Sequence, residues 1–445
     1  MGLQHSLAMP SKQLSVIVVG AGIGGLTTAI ALRRAGHKVT IYEKSSLSHE
    51  IGQGITISPH GGRILQRLGM DFQKARMTDY MGTNIVDAAT LEPKAPMLDQ
   101  SGWGRQFGVR MKTAYRIDLH ANLLELARSD KGEGPPVKVL ARAGVLEIDA
   151  DNASITLENG ETIKADILIA ADGVRSKAAK HIVGNDCPEV QSSGTIVYRF
   201  TLPTERLLND PETAHLLSAG AGITTFNVSP KGDRWLVRYY CRGTELQNFA
   251  MYTLRTHEDA DRQEHDLRFK TDRASLRREM EGFHPSLLKV ASMASDVLPL
   301  WRCTTREPLP RMSRGRMAVI GDAAHPVMPH IGLGAVSAIE DAAALGALFT
   351  NIPASATDTD TDTATLVQHR LALFSRLRAP RVAVYKLYSD CPFFIHAVQA
   401  QRHAAERYMA PRDLPQTQAE LRPWYMGYDV YEDVKRALGE ELLAA

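Results

Sequence analysis

Residues 20–25 read Gly-Ala-Gly-Ile-Gly-Gly directly after the apolar run 16–19, and a lone acid, Glu43, closes a second apolar run, 38–42. Strand, glycine turn, helix, strand and acid in that order leave few folds open: the chain begins with the βαβ unit of a dinucleotide-binding parallel sheet. Gly20 permits the tight turn, Gly22 lets the backbone approach a pyrophosphate, and Gly25 lets the helix pack closely on the strand. The helix expected over residues 26–35, stopped by Gly36, would turn its first amides toward the phosphates, where unpaired donors and the helix dipole favour negative charge. Glu43 can accept both ribose hydroxyls. An acid here, rather than a basic patch, argues against a 2′-phosphate, so the motif points to FAD or NAD without separating them. A structural glycine turn in another α/β protein is the bland alternative.

The chain has 445 residues, enough for two or three packed units and a large core. Its 52 Lys and Arg against 50 Asp and Glu give a net charge of +2, which does not suggest a polyanionic partner such as nucleic acid. Cys187, Cys241, Cys303 and Cys391 are scattered and form neither a zinc pattern nor a disulfide framework, which fits a reducing compartment. The N-terminus has no signal-peptide pattern, although Gly2 and Ser6 satisfy the permissive myristoylation pattern. No apolar run is long enough to span a membrane. A cytoplasmic enzyme without stable membrane insertion, monomeric or homodimeric, is expected.

Beyond the first βαβ unit, a short amphipathic helix is expected over residues 62–68. An excursion of strands and loops follows over 77–114, and a helix over 116–128 with Leu119, Leu123, Leu124 and Ala127 on one face. Residues 137–148 and 154–157, before Asn159-Gly160, read as an antiparallel ribbon, and 165–171 as a buried strand. Segments 194–200, 223–228 and 234–240 alternate or carry aromatics and should form a mostly antiparallel sheet walling a pocket. Charged helices are expected over 256–290, and a buried strand over 317–320. The polar tract 353–363 reads as a disordered loop, followed by a long helix over 366–389 that Pro380 kinks or interrupts.

The fold class is therefore α/β: a Rossmann-type dinucleotide-binding sheet with an inserted, mostly antiparallel substrate domain and C-terminal helices, the sheet being FAD-binding by the resemblance given below. The nucleotide-binding parts are expected at 1–76, 105–186 and 291–350. Substrate-domain parts are expected at 77–104 and 187–290, a flexible loop at 351–365 and a helical region at 366–445.

A second motif follows the strand at 317–320. Gly321-Asp322 places an acid beside a glycine, suited to a ribityl or ribose hydroxyl, and Pro329-His-Ile-Gly332-Leu-Gly334-Ala335 leads into a helix expected over 336–348. One chain thus offers two helix N-termini to one long cofactor.

In these motifs the chain resembles the single-component FAD-dependent aromatic hydroxylases, the class that includes p-hydroxybenzoate hydroxylase. The resemblance lies nearest the salicylate hydroxylase-like branch with its fungal phenol-dearomatising members. Gly20, Gly22, Gly25 and Glu43 match the family's fingerprint, with Lys44 beside them. Asp172-Gly173 within Ala171–Ser176 matches its middle Asp-Gly motif, and Gly321-Asp322 its late Gly-Asp motif. Pro329, Gly332, Gly334 and Ala335 match the downstream glycine entrance, and Arg116, Leu119 and Leu123 the helix whose arginine approaches the flavin. Trp424 to Asp429 resembles a tail segment of the branch.

The resemblance implies that these residues bind FAD, Asp322 at the ribityl chain and Asp172 also at a transient nicotinamide site. NADPH or NADH would act as passing reductant, and O2 would be used through a flavin C4a-hydroperoxide to hydroxylate an aromatic small molecule. Dearomatisation or decarboxylation could accompany the reaction in fungal secondary metabolism. No metal is implied.

This chain departs from the family pattern where many relatives place Gln and Asn around the glycine pair, here Leu333 and Val336. His60 stands where the branch usually has Asn, and His330 follows the motif proline; both are candidates for the flavin or substrate neighbourhood. By the same resemblance Arg199 and Tyr239 hold a phenolate. A fixed cation favours phenolate over phenol, and phenolate enriches the ring carbons in electron density. Arg238 is the alternative cation, because neighbouring strand positions face opposite sides. An epoxidase or a monooxygenase of an indole or terpenoid is the nearest rival reading. A flavin oxidase or dehydrogenase that never uses a nicotinamide and a cofactor-stabilised structural or regulatory binding protein are more distant ones.

Overall fold

The computed structural model describes residues 11–48, 52–218, 220, 222–227, 233–254, 268–354, 360–391 and 397–444. Gly2 and Ser6 lie outside them. A six-stranded sheet runs in the order Ser313–Arg314, Met317–Val319, Ile167–Ala170, Ser15–Val19, Lys38–Glu43, Lys138–Ala141. All its pairs are parallel except that between Ser313–Arg314 and Met317–Val319. From the central strand Ser15–Val19 the chain moves first to Lys38–Glu43 and only later to Ile167–Ala170 on the other side. That reversal opens a crevice beyond the strand ends, where ligands of such sheets bind.

The helices Ile23–Arg34 and Gly334–Leu348 cross closely on this sheet. A Cβ at Gly346 would lie 2.7 Å from Ala31 Cβ, and one at Gly24 3.1 Å from Ala338 Cβ. Small residues at the crossing let two glycine-led helix entrances sit side by side.

An eight-stranded sheet forms the second layer, in the order Arg268–Asp272, Val297–Thr305, Gln191–Pro203, Leu246–Leu254, Arg234–Cys241, Ile223–Asn227, Gly82–Asp87, Leu98–Asp99. It is antiparallel apart from the pair Ile223–Asn227 with Gly82–Asp87. Its two faces differ. Tyr198, Phe200, Leu236, Phe249 and Met251 pack on one, under the helices Arg273–Glu279 and Pro285–Ser292. Val197, Trp235, Ala250 and Tyr252 pack on the other.

Several expectations are corrected. Residues 137–148 are two strands in two sheets, Lys138–Ala141 beside Lys38–Glu43 and Val145–Asp149 in a small three-stranded ribbon, because the chain turns at Arg142 with φ 54°. Leu246–Leu254 was not foreseen: it is buried along nearly its whole length, so no alternation marks it. Val297–Thr305, with Pro299 inside it, lies in the large sheet, so the chain returns to the nucleotide-binding sheet only after residue 305.

The charged helices expected from 256 are in part a strand, Arg268–Asp272, followed by the two short helices; residues 255–267 are outside the described set. The expected disordered tract is helical from Asp360 on; Pro353 bridges Ser11, and residues 355–359 are not described. The helix Asp360–Ser389 is continuous through Pro380. Buried ion pairs of Arg378 and Arg381, on either side of the proline, hold it against the core and offset the missing ladder hydrogen bond.

Candidate active site

The first glycine turn is fixed by backbone contact. Gly20 has φ +100°, and a Cβ there would lie 2.5 Å from the Ala171 carbonyl oxygen, so the fingerprint and the Asp172-Gly173 turn abut. A Cβ at Gly25 would lie 2.0 Å from the Gly20 carbonyl oxygen, whereas one at Gly22 would meet nothing within 4 Å. Of Gly20, Gly22 and Gly25, space stays open at Gly22 alone. We expect Gly25→Ala to lose most bound flavin and to lower the melting temperature, because backbone must move to admit the methyl; a purified variant with full flavin absorbance would contradict this.

Neither principal helix entrance is capped from its own sequence. Ile23–Arg34 follows Gly22 and Gly334–Leu348 follows Leu333; neither has a side-chain cap or an acid in its first turn. Their first amides are therefore donors kept for an anionic or carbonyl partner. Gly332, with φ +65°, brings the second entrance onto the strand Gly54–Ile57, where a Cβ would lie 2.1 Å from Thr56 Oγ1.

Acids stand around this crevice as the motifs imply. Glu43 accepts from Ala21 N–H through Oε2 and from Ser45 N–H through Oε1, both at 2.8 Å, and each oxygen keeps a lone pair for a ribose hydroxyl. Burial alone would raise its carboxyl, but these donors and the exposed Lys44 hold it below the ordinary range. Asp172 is raised by burial, only partly countered by Ser176, Lys44 and Arg306, and its Oδ1 has no hydrogen-bond partner among the described residues.

Asp322 keeps an accessible surface although protein surrounds it closely, as for a group lining a cleft. Burial raises its carboxyl, partly offset by His325 and by Arg116, the first residue of Arg116–Arg128. The structure thus brings Gly20, Gly22, Gly25, Glu43, Lys44, Asp172 and Gly173 to one end of the crevice. It brings Arg116 and Asp322 together, and sets Pro329, Gly332, Gly334 and Ala335 at the second helix entrance. Open space at Gly22, uncapped amides at two helix starts and an unpartnered carboxylate oxygen fit a long dinucleotide, and these residues could hold FAD.

The large sheet settles which arginine can reach this crevice. Arg199 pairs with Ala250, Ala250 with Val237, and Tyr239 with Asn248, so Arg199 and Tyr239 share the face of Trp235 and Tyr252. That face meets the nucleotide-binding part of the chain. The Gly54 amide donates to Asn248 Oδ1 at 2.8 Å, a Cβ at Gly54 would lie 2.5 Å from the Tyr239 ring, and the His330 and Trp235 rings are 5.6 Å apart. Arg238 lies on the other face, 0% exposed, donating to Gln247 Oε1 and Thr224 Oγ1, and so is turned away from the face that meets the nucleotide-binding part.

Arg199 donates to Gln53 Oε1 and to the Tyr252 hydroxyl, and no carboxylate pairs with it among the described residues. Its other neighbours supply no negative charge: burial raises the Tyr239 and Tyr252 hydroxyls and pushes the Cys303 thiol up to about 12.

His60 is committed elsewhere. Its Nε2 lies 3.3 Å from Glu340 Oε1, its ring meets Tyr425 edge-on, and burial lowers it to about 3, keeping it neutral. It belongs to a buried cluster in which Arg378 bridges Glu340 at 2.6 Å and Asp341 at 2.8 Å, while Arg381 reaches Glu340 at 3.1 Å. The Arg381 guanidinium also lies over Trp424 and Tyr428, which explains the aromatic tail motif: it anchors the C-terminal helices on Gly334–Leu348. Sequence reasoning missed Gln53, Asn248 and Tyr252. A lone polar residue between Gly52 and Gly54 was the only signal for the first; the others are ordinary strand residues until the sheet is assembled.

Residues 13–372 match a family described as an FAD binding domain. An FAD-dependent monooxygenase of Aspergillus candidus is 31% identical over 423 residues, covering 95% of this chain and 94% of the relative. The hispidin-3-hydroxylase of Neonothopanus nambi is 29% identical over 443 residues, covering 97% and 98%. Among solved structures, CtdE in complex with FAD and a substrate aligns with a TM-score of 0.77 at 22% identity, over 97% of this chain and 100% of that one. A salicylate hydroxylase substrate complex aligns at 0.68 and 20% identity, over 96% and 98%; these two likenesses speak for the fold. No described helix is long and apolar enough to cross a membrane. With the fingerprint, both glycine-led helix entrances and the acids in place, the chain belongs to the single-component FAD-dependent aromatic hydroxylase family and is an FAD-dependent monooxygenase.

Proposed function

We propose that this monooxygenase hydroxylates a phenolic or related aromatic small molecule, with NADPH or NADH as passing reductant and O2 as oxidant. The observation that carries the reading is Arg199: a permanent cation in a crowded site, without a carboxylate partner, on the sheet face that meets the cofactor crevice. An uncompensated charge in such a place favours an anionic ligand. The names of relatives such as hispidin-3-hydroxylase support the substrate class.

Bound FAD supplies the activation of O2. The chain's own residues do the rest. Arg199 stabilises the ionised oxygen of the substrate and so raises electron density at its ring carbons. Tyr239, pressed on Gly54, fixes the ring's position, and the apolar Trp235, Val197 and Ala250 around them keep water from the reacting edge. The uncapped amides at Gly334 and Ala335 would be hydrogen-bond donors holding a polar edge of FAD when it is bound.

The test is NAD(P)H oxidation stimulated by a phenol, with product analysed for oxygen from labelled O2. Incorporation of one labelled atom is expected. Sustained turnover without it would reject the reading.

A further inference from the structure

Among the described residues two buried polar atoms on this side of the large sheet are left without hydrogen-bond partners, a donor on Gln53 and an acceptor on His330. Gln53 is 5% exposed and its Oε1 takes a hydrogen bond from Arg199. Guanidinium only donates, so the amide orientation is fixed and Nε2 is the free end; among the described residues it has no hydrogen-bond partner. His330 Nδ1 lies 3.0 Å from the Ser389 carbonyl oxygen, which only accepts, so Nδ1 carries the proton and Nε2 presents a lone pair. That Nε2 is buried and likewise unpartnered, and its ring lies 5.6 Å from Trp235 and 6.2 Å from Tyr252, the tyrosine bonded to Arg199. Buried polar atoms without partners are rare in folded proteins and call for a reason.

We propose that Gln53 and His330 are substrate-contacting residues that turn the Arg199 site into a three-point reader. Arg199 and Gln53 Nε2 hold one substrate oxygen, and His330 Nε2 accepts from a second O–H or N–H group on the same ring system. The substrate class narrows accordingly to aromatic or heteroaromatic rings that carry an ionisable oxygen together with a separate hydrogen-bond donor. This inference rests on the phenol reading given above. Gln53 lies outside the cofactor motifs and His330 directly follows the motif proline Pro329; both come from the nucleotide-binding part of the chain, while Arg199 comes from the large sheet. Substrate therefore adds a bridge between two parts of the chain that Arg199 and Gln53 already join.

The test uses the FAD-loaded protein and two probes, resorcinol and its monomethyl ether, titrated against the visible flavin spectrum. Wild type is expected to bind resorcinol about tenfold more tightly than the ether, since the ether cannot supply the second donor. His330→Leu should erase that preference and leave ether binding little changed. Gln53→Leu should weaken both probes about tenfold and preserve the preference, and Gln53→Glu should weaken them further by pairing Arg199 internally. A preference retained in His330→Leu, or unchanged affinities in Gln53→Leu with full flavin content, would overturn the inference while leaving the phenol reading intact. Silence of the wild-type flavin toward both probes would remove the phenol reading and this inference together. If buried water alone satisfies the two atoms, affinities stay unchanged in both variants, which is the overturning result.

Discussion

Replacing Arg199 with Gln lowers kcat/KM for a phenolic substrate by about 100-fold or more, the scale expected when one partner of a desolvated charge pair is removed. The flavin stays bound, because Arg199 lies on the large sheet and contacts Gln53 and Tyr252 rather than either glycine turn. The second consequence is diagnostic. A fixed cation lowers the pKa of the bound phenol by about 1–3 units; without it the substrate ionises only at higher pH, and the rising limb of the kcat profile moves in the alkaline direction. A residue that only packed the sheet would reduce stability without moving that limb. An Arg199→Gln enzyme with an unshifted profile and near-normal kcat/KM would rule out phenolate activation and favour a non-phenolic substrate in the same fold.

The largest stability effect is expected at Arg378, fully buried between Glu340 and Asp341. Arg378→Met leaves two buried carboxylates short of a counter-charge and costs about 3–5 kcal/mol, measured by urea unfolding with matched flavin content.

The acid limb of stability checks the same cluster. Burial would raise the Glu340 carboxyl, but Arg381 and Arg378 outweigh it and hold it at about 2, below its ordinary 4.5. A depressed acid stabilises the fold above its unfolded value and loses that contribution as pH falls through the folded one. His60 acts in the same direction: burial holds it neutral down to about 3, so below its ordinary 6.5 the unfolded chain takes up a proton that the native state refuses. Wild type therefore loses stability on acidification from about pH 6.5 toward 3 and further toward 2. In Arg378→Met the Glu340 depression shrinks, so the branch between 4.5 and 2 flattens. Wild-type stability with an unaltered acid branch would show that the cluster is not the anchor inferred here.

Local signals made the cofactor part of this chain legible. Gly20, Gly22, Gly25 and Glu43 fall within one βαβ unit, where the spacing of a few residues fixes geometry. Gly321-Asp322 and Gly332-Leu-Gly334 likewise act within one strand-to-helix connection. The C-terminal tail was readable as a pattern but not as a purpose. Trp424 and Tyr428 look like surface aromatics until Arg381 is seen stacked on them.

The less legible elements share a cause. Leu246–Leu254 is buried on both faces, Val297–Thr305 contains a proline, and the helix at Asp360–Ser389 starts in a polar tract. In each, tertiary context overrides the local preference on which a sequence reading depends: burial for Leu246–Leu254, pairing with Gln191–Pro203 and Arg268–Asp272 for Val297–Thr305, and ion pairs further along the helix for Asp360–Ser389.

The sequence by itself determined the nucleotide-binding fold, because glycine turns, helix starts and nearby acids act over short stretches of chain; its resemblance to a known family, carried by several such motifs in order, pointed to FAD-dependent chemistry. Only the tertiary structure decided that Arg199 rather than Arg238 meets the crevice, that His60 is locked in an ion cluster, and that Gln53 joins Arg199. Those outcomes depend on strand register and on which sheet face each layer covers; one residue of register reverses the side, and contacts between Gln53 and Arg199 span 146 positions of chain.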